Sequence, residues 1–144
     1  MNDPVNRNQS AHSGKPIPMQ MNCADTYWEK AKQEQFVLPY CTACKSFFFY
    51  PRKWCPKCFS RDPGWKEASG KGRVYSFSVV YHAPFESYAA DVPYVLAVIE
   101  LEEGPRMMTN VVDCNVKDVK IGMPVKVTFE ERADGFKVPQ FKPA

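Results

Sequence analysis

Four cysteines arranged in two short pairs are the residues of this chain best suited to chemistry. The pairs are Cys41-Thr-Ala-Cys44 and Cys55-Pro-Lys-Cys58, and ten residues separate them. Four thiolates at this spacing are typical of one tetrahedral zinc site, because two short CxxC turns bring soft sulfur ligands to a single ion without a large core. We therefore predict that all four cysteines bind one zinc ion.

The predicted zinc is structural. A catalytic zinc keeps an open position for water and often has a histidine or a carboxylate among its ligands. The chain has two histidines, His12 and His82, and neither is near the cysteine pairs in the sequence. Metal binding would then drive the folding of the segment around the cysteines.

Two other uses of these cysteines are open from the sequence. Two disulfides would need an oxidising compartment and usually a signal peptide, and residues 1–22 contain no apolar stretch of that kind. A rubredoxin-like iron centre also takes four thiolates, but such sites tend to have glycine after each pair, where this chain has Lys45 and Phe59. The remaining cysteines, Cys23 and Cys114, are expected to be buried or partly buried free thiols without a role.

The elements around the cysteines are predicted to be a helix, a small ribbon and a β-domain. The first residues are polar and lack periodicity, which is typical of a disordered or partner-binding tail. A helix is predicted over residues 26–35, with Asp25 as its N-cap. The predicted divisions are the tail at 1–22, a helical segment at 23–38, a zinc ribbon at 39–68 and an OB-fold domain at 69–144.

Five short strands are predicted in the last of these divisions. Residues 75–81 alternate with period two, which predicts a strand with Tyr75, Phe77, Val79 and Tyr81 on its buried face. The nearly continuous apolar run at 93–101 predicts a central strand that is covered on both sides. Further strands are predicted at 107–113, 125–130 and 138–141, with a short helical turn at 116–120. The pattern favours a mainly β chain that ends in a five-stranded OB barrel, with an SH3-like barrel as the nearest rival.

Composition bounds the partners and the location of the chain. The net charge is only +3, but every charged residue between Tyr40 and Arg61 is Lys or Arg. The ribbon stays positive even with the formal charge of a zinc tetrathiolate, so an anionic partner is expected. No stretch approaches the run of about 18 apolar residues that a membrane span needs, and we expect a soluble, cytoplasmic protein.

The order of these features resembles that of a known family. The residues that carry the likeness, over about 27–143, are the four cysteines, Pro51-Arg52, Pro56-Lys57, Trp65, Gly70-Lys71-Gly72, Val74-Tyr75-Ser76-Phe77, Pro93-Tyr94, Ile121-Gly122-Met123-Pro124-Val125 and Pro139-Gln140-Phe141. With them the chain is similar to the rubredoxin-like zinc-ribbon plus OB-fold acyl-CoA-associated proteins, domain-of-unknown-function family thirty-five. Lys45 departs from the glycine that the family commonly has after the first cysteine pair.

The resemblance implies a non-catalytic subunit of a hetero-oligomer. Members of the family associate with thiolase-fold enzymes, or with hydratases and aldolases that act on acyl-CoA, and they can help to surround the CoA moiety. Thiolase chemistry needs two cysteines and a histidine within hydrogen-bond reach of one another, and this chain is not expected to assemble that set. The expected partner is a thiolase-type acyltransferase, with a degradative reaction on an aromatic or unusual acyl-CoA favoured. A hydratase or an aldolase is the alternative.

A cationic strip in the ribbon is the candidate contact for CoA. Its residues are Arg52, Lys53, Trp54 and Lys57. CoA carries a 3′-phosphate and a diphosphate on an adenosine, so a receptor needs cations for the phosphates and an aromatic face for the adenine. We expect the strip to contribute to the nucleotide end of CoA at a subunit interface.

Two other function classes are weighed against this one. Zinc ribbons and OB folds both occur in proteins that bind single-stranded nucleic acid, but the predicted barrel strands carry acids such as Glu100, Glu102 and Glu103 where a binding groove would need cations. A stand-alone acyl carrier ranks last, because so small a barrel is normally filled by its own side chains.

Overall fold

The computed structural model describes residues 14–19 and 21–144. Its helix and strands are α1 Asp25–Lys32, β1 Val37–Cys41, β2 Ser46–Phe47, β3 Gly64–Glu67, β4 Lys71–Val80, β5 Tyr94–Leu101, β6 Arg106–Val111, β7 Pro124–Glu131 and β8 Lys137–Pro143. Short 3₁₀ turns lie at Asn22–Ala24, Glu86–Tyr88, Val116–Asp118 and Ala133–Gly135. The mainly β architecture with one N-terminal helix is confirmed. None of the helices described is long and apolar enough to cross a membrane.

The ribbon is a three-stranded antiparallel sheet in the order β2-β1-β3. The turn from β1 to β2 carries the first cysteine pair, with Cys41 opposite Ser46 in the register. Trp65 pairs with Pro39, so the short strand expected around Trp65 is present. β3 then leads directly into the barrel.

The barrel is closed, in the order β4-β5-β6-β8-β7 and back to β4. All of its neighbouring strands are antiparallel except β6 and β8. Closure leaves no free sheet edge, and the interior is filled by side chains such as Val74, Ile99 and Phe141. The predicted five-stranded OB barrel is confirmed.

The helix differs from its predicted bounds at both ends. Asp25 is the first helical residue and not the N-cap, because the preceding 3₁₀ turn already bends the chain and places Ala24 at the cap. The helix ends at Lys32, because Glu34 adopts the left-handed conformation with φ of 59° and its N–H donates to the Ala31 carbonyl. A left-handed residue closes a helix and does not continue it.

The predicted buried face of the first barrel strand is wrong for two tyrosines. A register shift between Val74 and Ser76 interrupts the pairing of β4 with β5. Val74 therefore faces the core, and Tyr75 is 48% exposed. Tyr81 lies after the end of β4 and is exposed as well. A bulge of this kind breaks the period of two on which the prediction rested.

The prediction that the apolar run is covered on both sides is also wrong. Burial alternates along β5, with Val95, Ala97 and Ile99 buried in the barrel, whereas Leu96 is 37% exposed on the outside. A barrel of one sheet has a filled inside and an outer surface, and at Leu96 the described residues leave this outer surface partly exposed.

The helix, the ribbon and the barrel share one main core. Trp28 of α1, Leu38 of β1 and Phe141 of β8 all belong to it. A second, much smaller cluster consists of Cys41, Phe48 and Cys55, with Cys44 against it. The cysteine loops therefore lie outside the main core.

Residues 14–19 form an arm along the barrel. Lys15 Nζ lies 2.7 Å from an Asp91 carboxylate oxygen and 3.1 Å from one of Glu130. Arg132, itself buried, donates to the Pro16 carbonyl at 2.6 Å. The rest of the predicted tail, residues 1–13 and 20, is outside the described part of the chain.

Candidate functional site

The four predicted zinc ligands converge on one point. Their Sγ atoms all lie within 4.8 Å of one another. Across the two pairs, Cys41 and Cys58 are 3.5 Å apart and Cys44 and Cys55 are 3.7 Å apart, measured between sulfur atoms. A tetrahedron of sulfurs at about 2.3 Å from zinc has edges of about 3.8 Å. The donor set therefore fits one ion with a closed shell of four thiolates.

The backbone turns in the same way after each cysteine pair. Lys45 follows the first pair with φ of 54°, and Phe59 follows the second pair with φ of 61°. In the second loop the Phe59 N–H donates to the Cys55 carbonyl and the Cys55 N–H to the Ser60 carbonyl, both at 2.9 Å. The glycine that Lys45 replaces would adopt this left-handed conformation without steric cost.

Hydrogen bonds favour the thiolate form of Cys55 and Cys58, whereas burial opposes it. Cys41 and Cys55 are buried, whereas Cys58 is exposed. The Lys57 N–H donates to the Cys55 sulfur at 3.4 Å. The hydrogen bond with Ser60, whose hydroxyl oxygen lies 3.1 Å from the Cys58 sulfur, is the largest influence lowering the pKa of Cys58 to about 6. Thiolates are the form that binds metal.

The arrangement is that of a structural metal centre. Four thiolates occupy every tetrahedral position, so no site is left for water or substrate. His82 is exposed just after β4, away from the cysteines in the chain, and His12 falls outside the residues described. Zinc bound here would hold the two cysteine loops together.

The structure divides the cationic strip between two cavities. Arg52 and Lys53 line a cavity of about 220 Å³ together with Trp65. Lys57 lines a different groove, of about 460 Å³. Trp54 is 46% exposed, but the Arg61 guanidinium stacks 4.4 Å from its ring centroid and occupies one face of the indole. The strip is therefore not one continuous site.

Sequence analysis missed the other side of the groove that contains Lys57. Lys45 and Phe47 of the ribbon line this groove, and so do Glu103 and Arg106 of the barrel. The sequence alone draws attention to Lys45, because the family commonly has glycine at this position. The barrel residues carried none, since only the fold brings the turn between β5 and β6 to the cysteine loops.

The two remaining cysteines have the environment expected of them. Cys23 is partly buried, with its sulfur 3.6 Å from the Pro51 carbonyl oxygen. Cys114 is also partly buried, and burial, followed by the charges of Asp118 and Asp113, raises its pKa. A raised pKa makes a thiol a poorer nucleophile at neutral pH.

Two family models match consecutive parts of the chain. Residues 28–64 match the ChsH2 rubredoxin-like zinc ribbon domain, and residues 65–130 match the ChsH2 C-terminal OB-fold domain. The boundary between the two matches falls at the start of β3.

Relatives and a solved structure are similar over most of the chain. A probable enoyl-CoA hydratase alpha subunit of Thermomonospora curvata is 39% identical over 125 residues, which are 86% of this chain but 39% of the relative. A DUF35 domain-containing scaffold protein of Methanocaldococcus jannaschii is 45% identical over 98 residues, covering 66% of this chain and 68% of the relative. A solved structure described as Ltp2-ChsH2(DUF35) aldolase superposes with a TM-score of 0.80 at 37% identity, covering 88% of this chain and 98% of that one.

The matched domains include the helix from Trp28, the four cysteines and most of the barrel. The resemblance inferred from the sequence motifs is confirmed. This chain belongs to the DUF35 family of ChsH2-type proteins, which join a rubredoxin-like zinc ribbon to an OB fold.

Proposed function

We propose that this chain is a non-catalytic, zinc-binding accessory subunit of an acyl-CoA thiolase-type complex. In this proposal the catalytic partner carries out the carbon–carbon bond chemistry. The chain scaffolds that partner and helps to bind the CoA moiety of the substrate. A degradative reaction on an aromatic or other unusual acyl-CoA is the one we favour, as the resemblance implies.

The observation that carries the proposal is an apolar outer face of the barrel, made of Tyr75, Leu96, Val98 and Met108. Leu96 of β5 is 37% exposed and Met108 of β6 is 67% exposed. Val98 lies beside Met108 in the register. The Arg106 guanidinium stacks 3.6 Å from the Tyr75 ring centroid. Apolar side chains gathered on one exposed face are typical of a protein–protein contact.

The placement of the possible catalytic groups supports a separate catalytic subunit. Cys23 lies against Pro51 near the helix, and Cys114 follows the end of β6. His82 is exposed at the end of β4. In the described part of the chain no hydrogen bond joins these three groups to one another, whereas thiolase chemistry needs its cysteines and histidine within hydrogen-bond reach.

A hydratase or an aldolase is the second candidate for the partner. The Thermomonospora relative is described as a hydratase subunit, and the similar solved structure is described as an aldolase. The outer face would serve such a partner equally well. The sequence of the catalytic subunit that copurifies with this chain distinguishes the candidates.

A test places charges on the outer face. We expect Leu96→Glu combined with Met108→Glu to weaken binding to the copurified catalytic subunit by about tenfold or more, because an unpaired carboxylate would be buried in the contact. Ile121→Glu combined with Phe85→Glu is the matched control, since Ile121 is 71% exposed and Phe85 is 62% exposed but both lie outside β5 and β6. Titration of each variant, monitored by light scattering, gives the affinities. Equal affinities for the two variants would refute this docking face.

The CoA contact is the finer part of the same proposal. Replacement of Arg52, Lys53 and Lys57 by alanine removes three cations that border the ribbon cavities. We expect weaker CoA binding by the assembled complex with the zinc content unchanged.

A further inference from the structure

We propose that the adenosine 3′-phosphate end of CoA is held in the groove between the cysteine loops and the turn that joins β5 to β6. This inference rests on the proposed acyl-CoA function and deepens it, because it selects one of the two cavities. The groove has a volume of about 460 Å³, within the range of about 300–1,000 Å³ typical of small-molecule sites. The cavity that contains Arg52 and Lys53 is half as large, at about 220 Å³.

One wall of the groove carries two lysines without a carboxylate partner. Lys45 and Lys57 are exposed, and no ion pair to either is present in the described part of the chain. A phosphate monoester carries up to about two negative charges near neutral pH, which two ammonium groups can neutralise.

The opposite wall offers a hydrogen-bond acceptor that lacks a donor. One carboxylate oxygen of Glu103 accepts from the Ser69 N–H. The other, Oε2, is buried and has no hydrogen-bond partner among the residues described. A buried acceptor without a partner is costly, so rotation of the Glu103 carboxylate toward a ligand donor in the groove would be favoured. The exocyclic amino group of adenine is such a donor.

The turn leaves room for a planar base next to this acceptor. Gly104 lines the groove with φ of 110°, and a Cβ atom added there would meet no atom within 4 Å. Phe47, on the ribbon side, is only partly buried. Cations on one wall and an unpaired acceptor on the other are the complement of a phosphorylated adenosine.

Arg106 has another role in this groove. Its guanidinium binds Glu100 at 2.9 Å and stacks on Tyr75. It is therefore engaged with the barrel, and the two lysines carry the phosphate contact.

The test compares CoA with 3′-dephospho-CoA in calorimetric titrations of the full chain and of its purified complex. We expect the wild type to bind CoA about tenfold more tightly than dephospho-CoA, since charge-assisted hydrogen bonds to the phosphate are lost. Lys45→Ala with Lys57→Ala should abolish this preference, and Lys45→Arg with Lys57→Arg should restore it. Lys117→Ala with Lys120→Ala removes the same charge elsewhere, and Arg52→Ala with Lys53→Ala tests the smaller cavity. Both should keep the preference, and Arg52→Ala with Lys53→Ala should weaken the binding of CoA and of dephospho-CoA equally, because these two cations do not contact the 3′-phosphate.

Zinc analysis of each variant separates this role from a structural one, because both lysines adjoin zinc ligands. If the preference for CoA survives Lys45→Ala with Lys57→Ala at full zinc content, the assignment of the 3′-phosphate to this groove is wrong. It is also wrong if the preference is lost only with Arg52→Ala and Lys53→Ala. In both cases the proposed accessory function still stands. A preference that no variant alters also overturns the assignment to this groove. Failure of both chain and complex to bind CoA, with oligonucleotide bound instead, would overturn the proposed function as well.

Discussion

At the scale of single residues, the cysteine loops combine an expected feature with an unexpected one. The CxxC spacing predicted which four sulfurs converge, and they lie within 4.8 Å of one another. The same spacing did not reveal that Lys45 and Phe59 are left-handed, with φ of 54° and 61°. Residues with a Cβ disfavour that conformation by about 1–2 kcal/mol, so each loop folds against a local preference that the metal must outweigh.

The backbone strain at Phe59 gives a prediction. Phe59 is 74% exposed, so its side chain contributes little packing. We expect Phe59→Gly to stabilise the zinc-loaded protein by about 1 kcal/mol, because glycine adopts positive φ without a Cβ contact. Thermal unfolding measures the change. Phe59→Ala is the control, since it removes the ring but keeps the Cβ, and an equal gain in both variants would show that the ring, and not the backbone, is responsible.

At the scale of elements, we expect the cysteine loops to depend on metal and the barrel to be independent of it. The loops are held by a cluster of Cys41, Phe48 and Cys55 that is separate from the main core. Leu38, in the same strand as Cys41, belongs to the main core. We therefore expect β1 to stay packed in the main core when the cysteine loops unfold.

Removal of the metal should affect the cysteine loops and leave the barrel folded. We expect a strong chelator to increase hydrogen exchange in the second cysteine loop, where the amides of Cys55, Phe59 and Asp62 donate to backbone carbonyls. Amides of β5 and β6 should keep their protection, because the barrel core contains no metal ligand. Mass spectrometry of peptic fragments reads both regions, and added zinc should reverse the change. If the amides of β5 and β6 in the chelated protein lose their protection against exchange together with those of the cysteine loop, this division is wrong.

At the scale of the whole molecule, the sequence predicts the architecture better than the surfaces. Strand spacing and turn residues sufficed for the OB barrel, since each strand bears its own pattern. The groove could not be predicted, because it joins Lys45 and Lys57 to Glu103 across the fold. The bulge in β4 likewise escaped prediction, since the alternation of residues 75–81 reads through it. Register shifts and contacts between distant loops depend on tertiary packing, which local patterns do not encode.

The arm at residues 14–19 should make stability depend on pH at the alkaline end. Burial alone lowers the pKa of Lys15, but hydrogen bonds to Asp91 and Glu130 outweigh it and raise the pKa above its ordinary value. The contribution of Lys15 is thus complete below its unfolded-state pKa of about 10.4 and is lost as the pH rises through the folded-state value. The free energies of unfolding of wild type and Lys15→Met should differ at pH 8 and should converge at pH values above the folded-state pKa of Lys15.

Lys137→Met is the control for that series. Its partner Glu34 lies 2.8 Å away in an exposed pair, which is worth little in water. A difference between wild type and Lys15→Met that stays constant through the alkaline range would show that Lys15 acts through packing and not through its charge.

The most direct test of the central claim is native mass spectrometry of this chain, tagged and gently purified from its own cells. We predict a hetero-oligomer that contains one zinc per copy of this chain and a catalytic subunit, whose sequence and activity identify it as acting on acyl-CoA. The spectrum reads metal, partner and stoichiometry together. A zinc protein that carries no catalytic subunit, or one that carries RNA, would contradict the assignment as an accessory subunit.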